Sequence, residues 1–277
     1  MSTPPVSHEL GAFLRAHRER LKPADVGLPA TGPGAARRRT PGLRREEVAT
    51  LSGVGVAWYT WLEQGRVAAS RQVLEAVARS LRLDPAGLRH AMRLAGFHEP
   101  AEPLAGARRG GLVEVWQPVL DSWPTSPAVL LDRHFDLLGW NAAWSGVWGP
   151  PQAVPTERRN LLWLMAADAR SRAALADWQP LAMSVFQYFR AQAGPGLEQA
   201  RTAEVYRLLE EDAPELAHWW GCHSVAELTA RAVTVRRPGG GSVRLSLSSF
   251  HPVDDRSALV LLFTPLTDGD RERMAGG

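Results

Sequence analysis

The sequence predicts an all-α, five-helix helix-turn-helix domain followed by an α+β domain with an antiparallel sheet. Three observations predict it. From about residue 8 to residue 96, apolar residues recur at spacings of three and four, the period of an amphipathic helix. Within that region, Arg44 to Gly65 reads as two short helices joined by a tight turn. Beyond residue 112, strand-length apolar runs occur early and late, with helical patterns between them.

The first predicted helix spans about His8 to Leu21, with Leu10, Phe13, Leu14, His17 and Leu21 on one stripe and Ser7 as its N-cap. A long loop follows from Lys22 to Gly42, rich in Pro and Gly and carrying Arg37-Arg38-Arg39. In the two helices after it, Val48, Val54, Tyr59 and Leu62 occupy the positions that need apolar side chains. Ala49 falls where the two helices approach, and only a small side chain fits there. Gly53 falls in the turn, where φ > 0 penalises a Cβ. Helix four spans about Arg71 to Leu81, with Val73, Leu74, Val77, Ala78 and Leu81 inward. Asp84 caps helix five, Pro85 starts it and Gly96 ends it.

A Pro-, Gly- and Ala-rich stretch, Glu99 to Gly111, has no apolar period and reads as a linker between a first domain at 1–98 and a second at 112–277. In the second domain, Leu112 to Ser122 reads as a helix. Ala128 to Asp132 and Asp136 to Trp140 read as a hairpin turning at Arg133-His134-Phe135. Helices are predicted from Asn141 to Val147, Arg159 to Ala167, Ser171 to Gln192, Leu197 to Asp212 and on through His223. Three strands close the chain, Ala232 to Arg237, Ser242 to Phe250 and Ser257 to Thr264. Gly239-Gly240-Gly241 makes the first turn between them. Two early strands, central helices and three late strands are the order of a PAS-like sensor fold.

Composition narrows the function classes. A chain of 277 residues with 45% apolar content supports two packed cores. No apolar run approaches the ~20 residues of a membrane span, and the N-terminus lacks a charged-then-apolar signal pattern. Cys222 is the single cysteine, so no internal disulfide forms, and a reducing cytoplasm is the expected compartment. Charge is divided unevenly. Residues 1–99 hold 15 Lys and Arg against 9 Asp and Glu, a net of +6; residues 100–277 hold 17 against 20, a net of −3. A basic module beside a mildly acidic one points to a polyanionic partner for the first domain only.

The turn motif and the charge together point to double-stranded DNA. Val56, Ala57, Thr60, Trp61 and Gln64 fall on the outward face of the second motif helix, opposite Tyr59 and Leu62. Thr60 and Gln64 suit base edges, while Val56, Ala57 and Trp61 suit thymine methyls or sugar. Arg44, Arg45 and Arg66, with the Arg37 to Arg39 run, suit phosphates. The outward face carries no Arg, Lys or Asn, and Trp58 and Trp61 are also candidates for packing.

Leu43 to Val48, Ser52-Gly53-Val54, Leu62-Glu63-Gln64-Gly65-Arg66 and Val73 to Ala78 resemble the phage-repressor-like (XRE) helix-turn-helix class. More narrowly, Pro41-Gly-Leu-Arg-Arg-Glu-Glu-Val-Ala49 resembles the MmyB-like regulators. That resemblance continues through Leu138-Gly-Trp-Asn141, Arg159-Asn-Leu161, Asp177-Trp178, Phe189-Arg190, Trp219, His223 and Arg237-Pro238. It implies a transcription regulator whose second domain senses a fatty-acid-type ligand.

Nine of the eleven tryptophans lie beyond residue 100, which gives that domain aromatic surface in excess. Trp163, Trp178, Ala182, Phe186, Phe189 and Trp219 are the predicted walls of an apolar slot, and equally the residues of a filled core. Under the resemblance they are ligand-binding, with Asn141, Arg159, Arg190 and His223 as candidates for a carboxylate head. A long-chain fatty acid is then the one non-protein group expected; no cofactor or metal is. His218, Cys222 and His223 have no second ligand pair, and the sequence shows no phosphate loop and no nucleophile elbow, so no enzyme is expected. A homodimer without membrane attachment is the expected assembly. The competing reading is a DNA-binding adaptor whose second domain docks a protein.

Overall fold

The computed structural model describes residues 8–28, 42–97, 109–192, 200–216, 218–219, 224–237, 240–253 and 255–275. Ser7, the Arg37 to Arg39 run, most of the linker, Cys222 and His223 lie outside the described residues. The chain divides into two compact units. One is Met1–Glu99 with Arg190–Gly196 and Trp220–Ala226; the other is the remainder.

The first unit contains α1 (His8–Arg20), α2 (Arg45–Ser52), α3 (Val56–Glu63), α4 (Arg71–Ser80) and α5 (Pro85–Leu94). Local chemistry starts these helices where the sequence suggests. Ser70 Oγ accepts from the Val73 amide at 3.4 Å, and Asp84 Oδ1 accepts from Gly87 at 2.7 Å. Gly53 ends α2 with φ 71°, and a Cβ there would meet nothing. Its backbone conformation is therefore what demands glycine. Gly11 has the opposite reason: a Cβ would lie 2.3 Å from the Glu63 carbonyl oxygen, so α1 crosses the end of α3 at backbone contact. Phe13, Leu14, Val48, Tyr59, Leu62 and Leu74 fill the core between the helices.

The second unit begins with α6 (Arg109–Asp121), β1 (Ala128–Leu131) and β2 (Leu137–Trp140). The helices α7 (Ala142–Trp148), α8 (Leu161–Ala166), α9 (Ala169–Ala174), α10 (Trp178–Gln192) and α11 (Ala200–Asp212) follow. It closes with β3 (Arg231–Arg236), β4 (Ser242–Phe250), β5 (Leu259–Pro265) and α12 (Asp268–Ala275). The five strands form one antiparallel sheet in the order β2-β1-β5-β4-β3. Early and late strands meet at its centre, where Val129 pairs with Leu261. This is the PAS-like α+β arrangement. Central β5 is buried on both faces, which is why Leu259 to Phe263 reads as an unbroken apolar run. Val260 and Leu262 face α6 with Leu112, Leu120 and Leu130. Leu261 and Phe263, by the two-residue alternation, face the opposite way.

Two expectations from the sequence are corrected. The helix predicted from Ser171 to Gln192 is two helices. Leu175 is extended, at φ −97° and ψ 128°, and forms an antiparallel bridge with Val235. Pro180 explains the break: inside one long helix it would remove a hydrogen bond and clash with the preceding turn, whereas in the first turn of α10 its missing N–H costs nothing. Likewise α11 stops at Asp212 and Pro214–Leu216 is a single 3-10 turn; His218 and Trp219 are helical again, and the rest of the predicted run to His223 lies outside the described residues.

Candidate DNA interface and ligand cavity

The outward face of α3 carries most of the residues assigned to DNA. Val56, Ala57, Trp61, Gln64 and Arg66 are exposed, with Trp61 at 46%. Trp58, by contrast, packs partly buried against the core. Thr60 is half-buried, and its hydroxyl donates to the Val56 carbonyl at 2.8 Å. With its hydrogen spent, Thr60 offers a base edge an acceptor, which suits an adenine or cytosine amino group.

The two arginines at the start of α2 differ from each other. The Arg44 amide donates to Glu47 Oε2 at 2.6 Å, which fixes the helix start and leaves its half-buried side chain to the surface. The Arg45 side chain is an ion-pair partner of Glu63, Nε to Oε2 at 2.7 Å. Its side chain is 39% exposed, so the guanidinium stays at the surface while paired. Glu63 also takes Arg18, at 2.5 Å from Nε and 3.2 Å from Nη2, while Arg18 Nη1 donates to the Leu43 carbonyl at 2.8 Å. Buried Glu63 thus ties α1, the entry to α2 and the end of α3 together. The sequence could have pointed to it only by its place in Leu-Glu-Gln-Gly, since its partners lie 18 and 45 residues away.

The second unit holds a cavity against the face of the sheet opposite α6. Its empty space is about 380 Å³ with the open solvent at its mouth included. Between the side chains it is a crevice, with room for water-sized groups before any side chain moves. Trp144 and Trp148 reach it from α7, and Leu161, Leu164 and Met165 from α8. Ser171 and Leu175 come from α9 and its end, Leu181 and Val185 from α10. The sheet contributes Leu247, Leu261 and Phe263. The lining is nearly all hydrocarbon and aromatic ring, and none of the described lining residues is charged.

None of the described residues predicted to bind ligand lines this cavity. The predicted slot is closed by its own aromatics. Trp178 stacks on Trp219 with ring centroids 5.7 Å apart, and Phe186 meets Trp219 edge-on at 5.7 Å. Phe189 packs edge-on against Phe135 at 5.0 Å, and Ala182 is fully buried. Large flat rings gain most by burying their faces on one another. The cavity lies one residue earlier along the same helix, at Leu181 and Val185, a turn of about 100° around α10.

The polar candidates have structural partners. Asn141 Oδ1 accepts from the Trp144 and Ala128 amides at 2.9 and 3.0 Å, and its Nδ2 donates to the carbonyls of Leu120, Trp123 and Ser126. It is an N-cap that also pins one carbonyl in the last turn of α6 and two in the loop after it. Arg159 holds the carbonyls of Pro151 and Val154 at 3.0 and 3.1 Å. Trp163 Nε1 donates to Asp212 at 2.7 Å. Arg190 groups with the helical unit, and His223 lies outside the described residues.

Comparison with known proteins agrees with the two-part architecture. A helix-turn-helix domain family model matches residues 9–91. The family model of the MmyB-like transcription regulator ligand binding domain matches residues 113–275, more than half the chain. No curated protein matches. A basic helical module of phage-repressor-like type followed by a sheet domain with an apolar cavity defines a DNA-binding transcription regulator with a C-terminal ligand-binding domain. The chain belongs to the MmyB-like transcription regulators. Among the described residues no helix is long and apolar enough to cross a membrane, and no group of His, Cys, Asp and Glu is placed to hold a metal.

Proposed function

We propose that the protein is a cytoplasmic, non-enzymatic regulator whose second domain senses a small ligand with a fatty-acid-like hydrocarbon chain. Occupancy of the cavity then sets its affinity for an operator. The observation that carries this reading is the uncharged, apolar lining between α7–α10 and the sheet, in the domain that the ligand-binding family model covers. An apolar chain there contributes about 0.8 kcal/mol per methylene, so affinity rises steeply with chain length until the crevice is full. We propose further that the protein works as a homodimer, because one short recognition helix reads few base pairs and two half-sites restore specificity. Val115 and Val119 on α6, 59% and 36% exposed, offer an apolar stripe for that contact in the second domain.

The test has three parts. Mass spectrometry of an organic extract of the purified protein identifies what it retains. Val185→Phe fills the crevice, so the extract is expected to lose its ligand and DNA affinity to stop responding to added extract, with melting temperature preserved. Sedimentation is expected to show a dimer at micromolar concentration. Retention unchanged by Val185→Phe would move the ligand elsewhere, and an exposed aromatic surface that captures protein would favour the docking alternative.

A further inference from the structure

Two residues that line the cavity carry buried polar atoms with no partner among the described residues. Ser171 Oγ and Trp144 Nε1 are both buried, their residues each 3% exposed, and both lack a hydrogen-bond partner among the described residues. Both residues line the cavity, one from α9 and one from α7. Buried polar groups are otherwise nearly always paired, and each exception asks for an explanation.

The neighbouring polar groups are not in the same position. The Ser171 amide is taken by Asp168 Oδ2 at 2.7 Å, and the Trp144 amide by Asn141 Oδ1 at 2.9 Å. Only the side-chain donors remain. An indole N–H can only donate, while a serine hydroxyl rotates and can do either. An unpartnered N–H from α7 and an unpartnered hydroxyl from α9, on residues that line the same apolar cavity, suit an uncharged hydrogen-bond acceptor.

They do not match an anion. A buried carboxylate is retained in its charged form only with a cation or several charge-assisted bonds beside it. The described lining has no Arg, Lys or His, and Arg159, the arginine nearest this role in the sequence, holds the Pro151 and Val154 carbonyls. Resting on the ligand-sensing reading above, we infer that the cavity selects an uncharged, mostly hydrocarbon molecule carrying one acceptor oxygen, such as a ketone, ester or lactone. Ser171 Oγ and Trp144 Nε1 bind that oxygen.

The experiment compares 2-decanone with decanoate at pH 8, using calorimetry and the indole region of an amide-correlated NMR spectrum of the full chain. The ketone is expected to bind more tightly than the carboxylate and to shift one indole resonance downfield, the one that Trp144→Phe removes. Ser171→Ala is expected to weaken the ketone about tenfold, the size of one hydrogen bond, while leaving the melting temperature unchanged or raised. If Trp144→Phe fails to fold, the Ser171→Ala comparison and the indole shift of the parent still decide. Decanoate binding as well as the ketone, with no effect of Ser171→Ala, would overturn this inference and leave ligand sensing intact. Binding of neither probe would overturn both.

Discussion

Glu63→Gln is expected to destabilise the helical domain far more than an ordinary surface change. Glutamine keeps the shape of the side chain but removes the charge. The Arg18 side chain is 6% exposed and that of Glu63 is 1% exposed, so the Arg18 cation would be left in the interior. The replaced oxygen becomes an NH₂ that faces guanidinium N–H groups, donor against donor. Breaking a buried pair by removing one partner costs about 3–5 kcal/mol. Glu19, 3.3 Å from Arg18 and half-exposed, compensates in part, which favours a value of about 3 kcal/mol. For a domain of this size that corresponds to a melting temperature lower by about 12–24 °C. The assay is far-UV circular dichroism of the full chain, with the helical domain's transition identified by the parallel loss of DNA binding. Arg45→Ala is the internal control: its side chain is 39% exposed, so its loss should cost less than about 1 kcal/mol. The double change Arg18→Met with Glu63→Leu should recover most of the loss, because an apolar pair needs no compensating charge. A Glu63→Gln protein within about 1 kcal/mol of the parent would refute the reasoning, since that is the scale of a solvated pair.

Two further outcomes are expected in the same domain. Gln64→Ala and Trp61→Ala should change sequence preference in an operator selection, whereas Arg66→Ala should weaken binding to all sequences and lower the salt slope by about 1, read by fluorescence anisotropy. His90 is held down to about 3, chiefly because burial disfavours imidazolium and secondly because Arg93 is cationic. Its contribution to stability is therefore full above pH 6.5 and lost as pH falls toward about 3. Denaturant melts between about pH 6.5 and 5 should show a slope that steepens from about 0.7 toward about 1.4 kcal/mol per pH unit and that His90→Leu flattens; equal slopes in the two proteins would count against it.

The helix-turn-helix was legible because its determinants are local. Ala49, Gly53, Tyr59 and Leu62 lie within 14 residues of one another, and their spacing states the geometry. The sheet was legible for a similar reason, since β5 must be apolar on both faces to sit at its centre. The cavity was not. Sequence shows which side chains are large and apolar, but not which of them cover each other, and Trp178, Phe186 and Trp219 cover each other. The Arg45–Glu63 pair was not legible for lack of range: Glu63 stands beyond a turn and a helix. Asn141 carried a usable signal, since asparagine just before a helical run is a preferred N-cap.

Pro180 is the residue that links the missed helix break to the missed cavity. On one uninterrupted helix, Ser171 and Leu181 would stand about 15 Å apart along the axis and point in different directions. The break brings the end of α9 and the start of α10 to the same crevice, so Ser171, Leu175, Leu181 and Val185 all line it. A break exposes backbone groups, and β3 takes them up. The Ala176 amide donates to the Thr234 carbonyl at 2.9 Å, and Arg236 donates to the carbonyls of Ala173 and Leu175 at 3.2 and 2.9 Å. The main chain around the cavity is thus re-paired where the helix gave way. Against that background the free donors on Ser171 and Trp144 are not a sign of a loosely satisfied region. They are buried polar atoms without a partner among the described residues, on residues that line an apolar cavity.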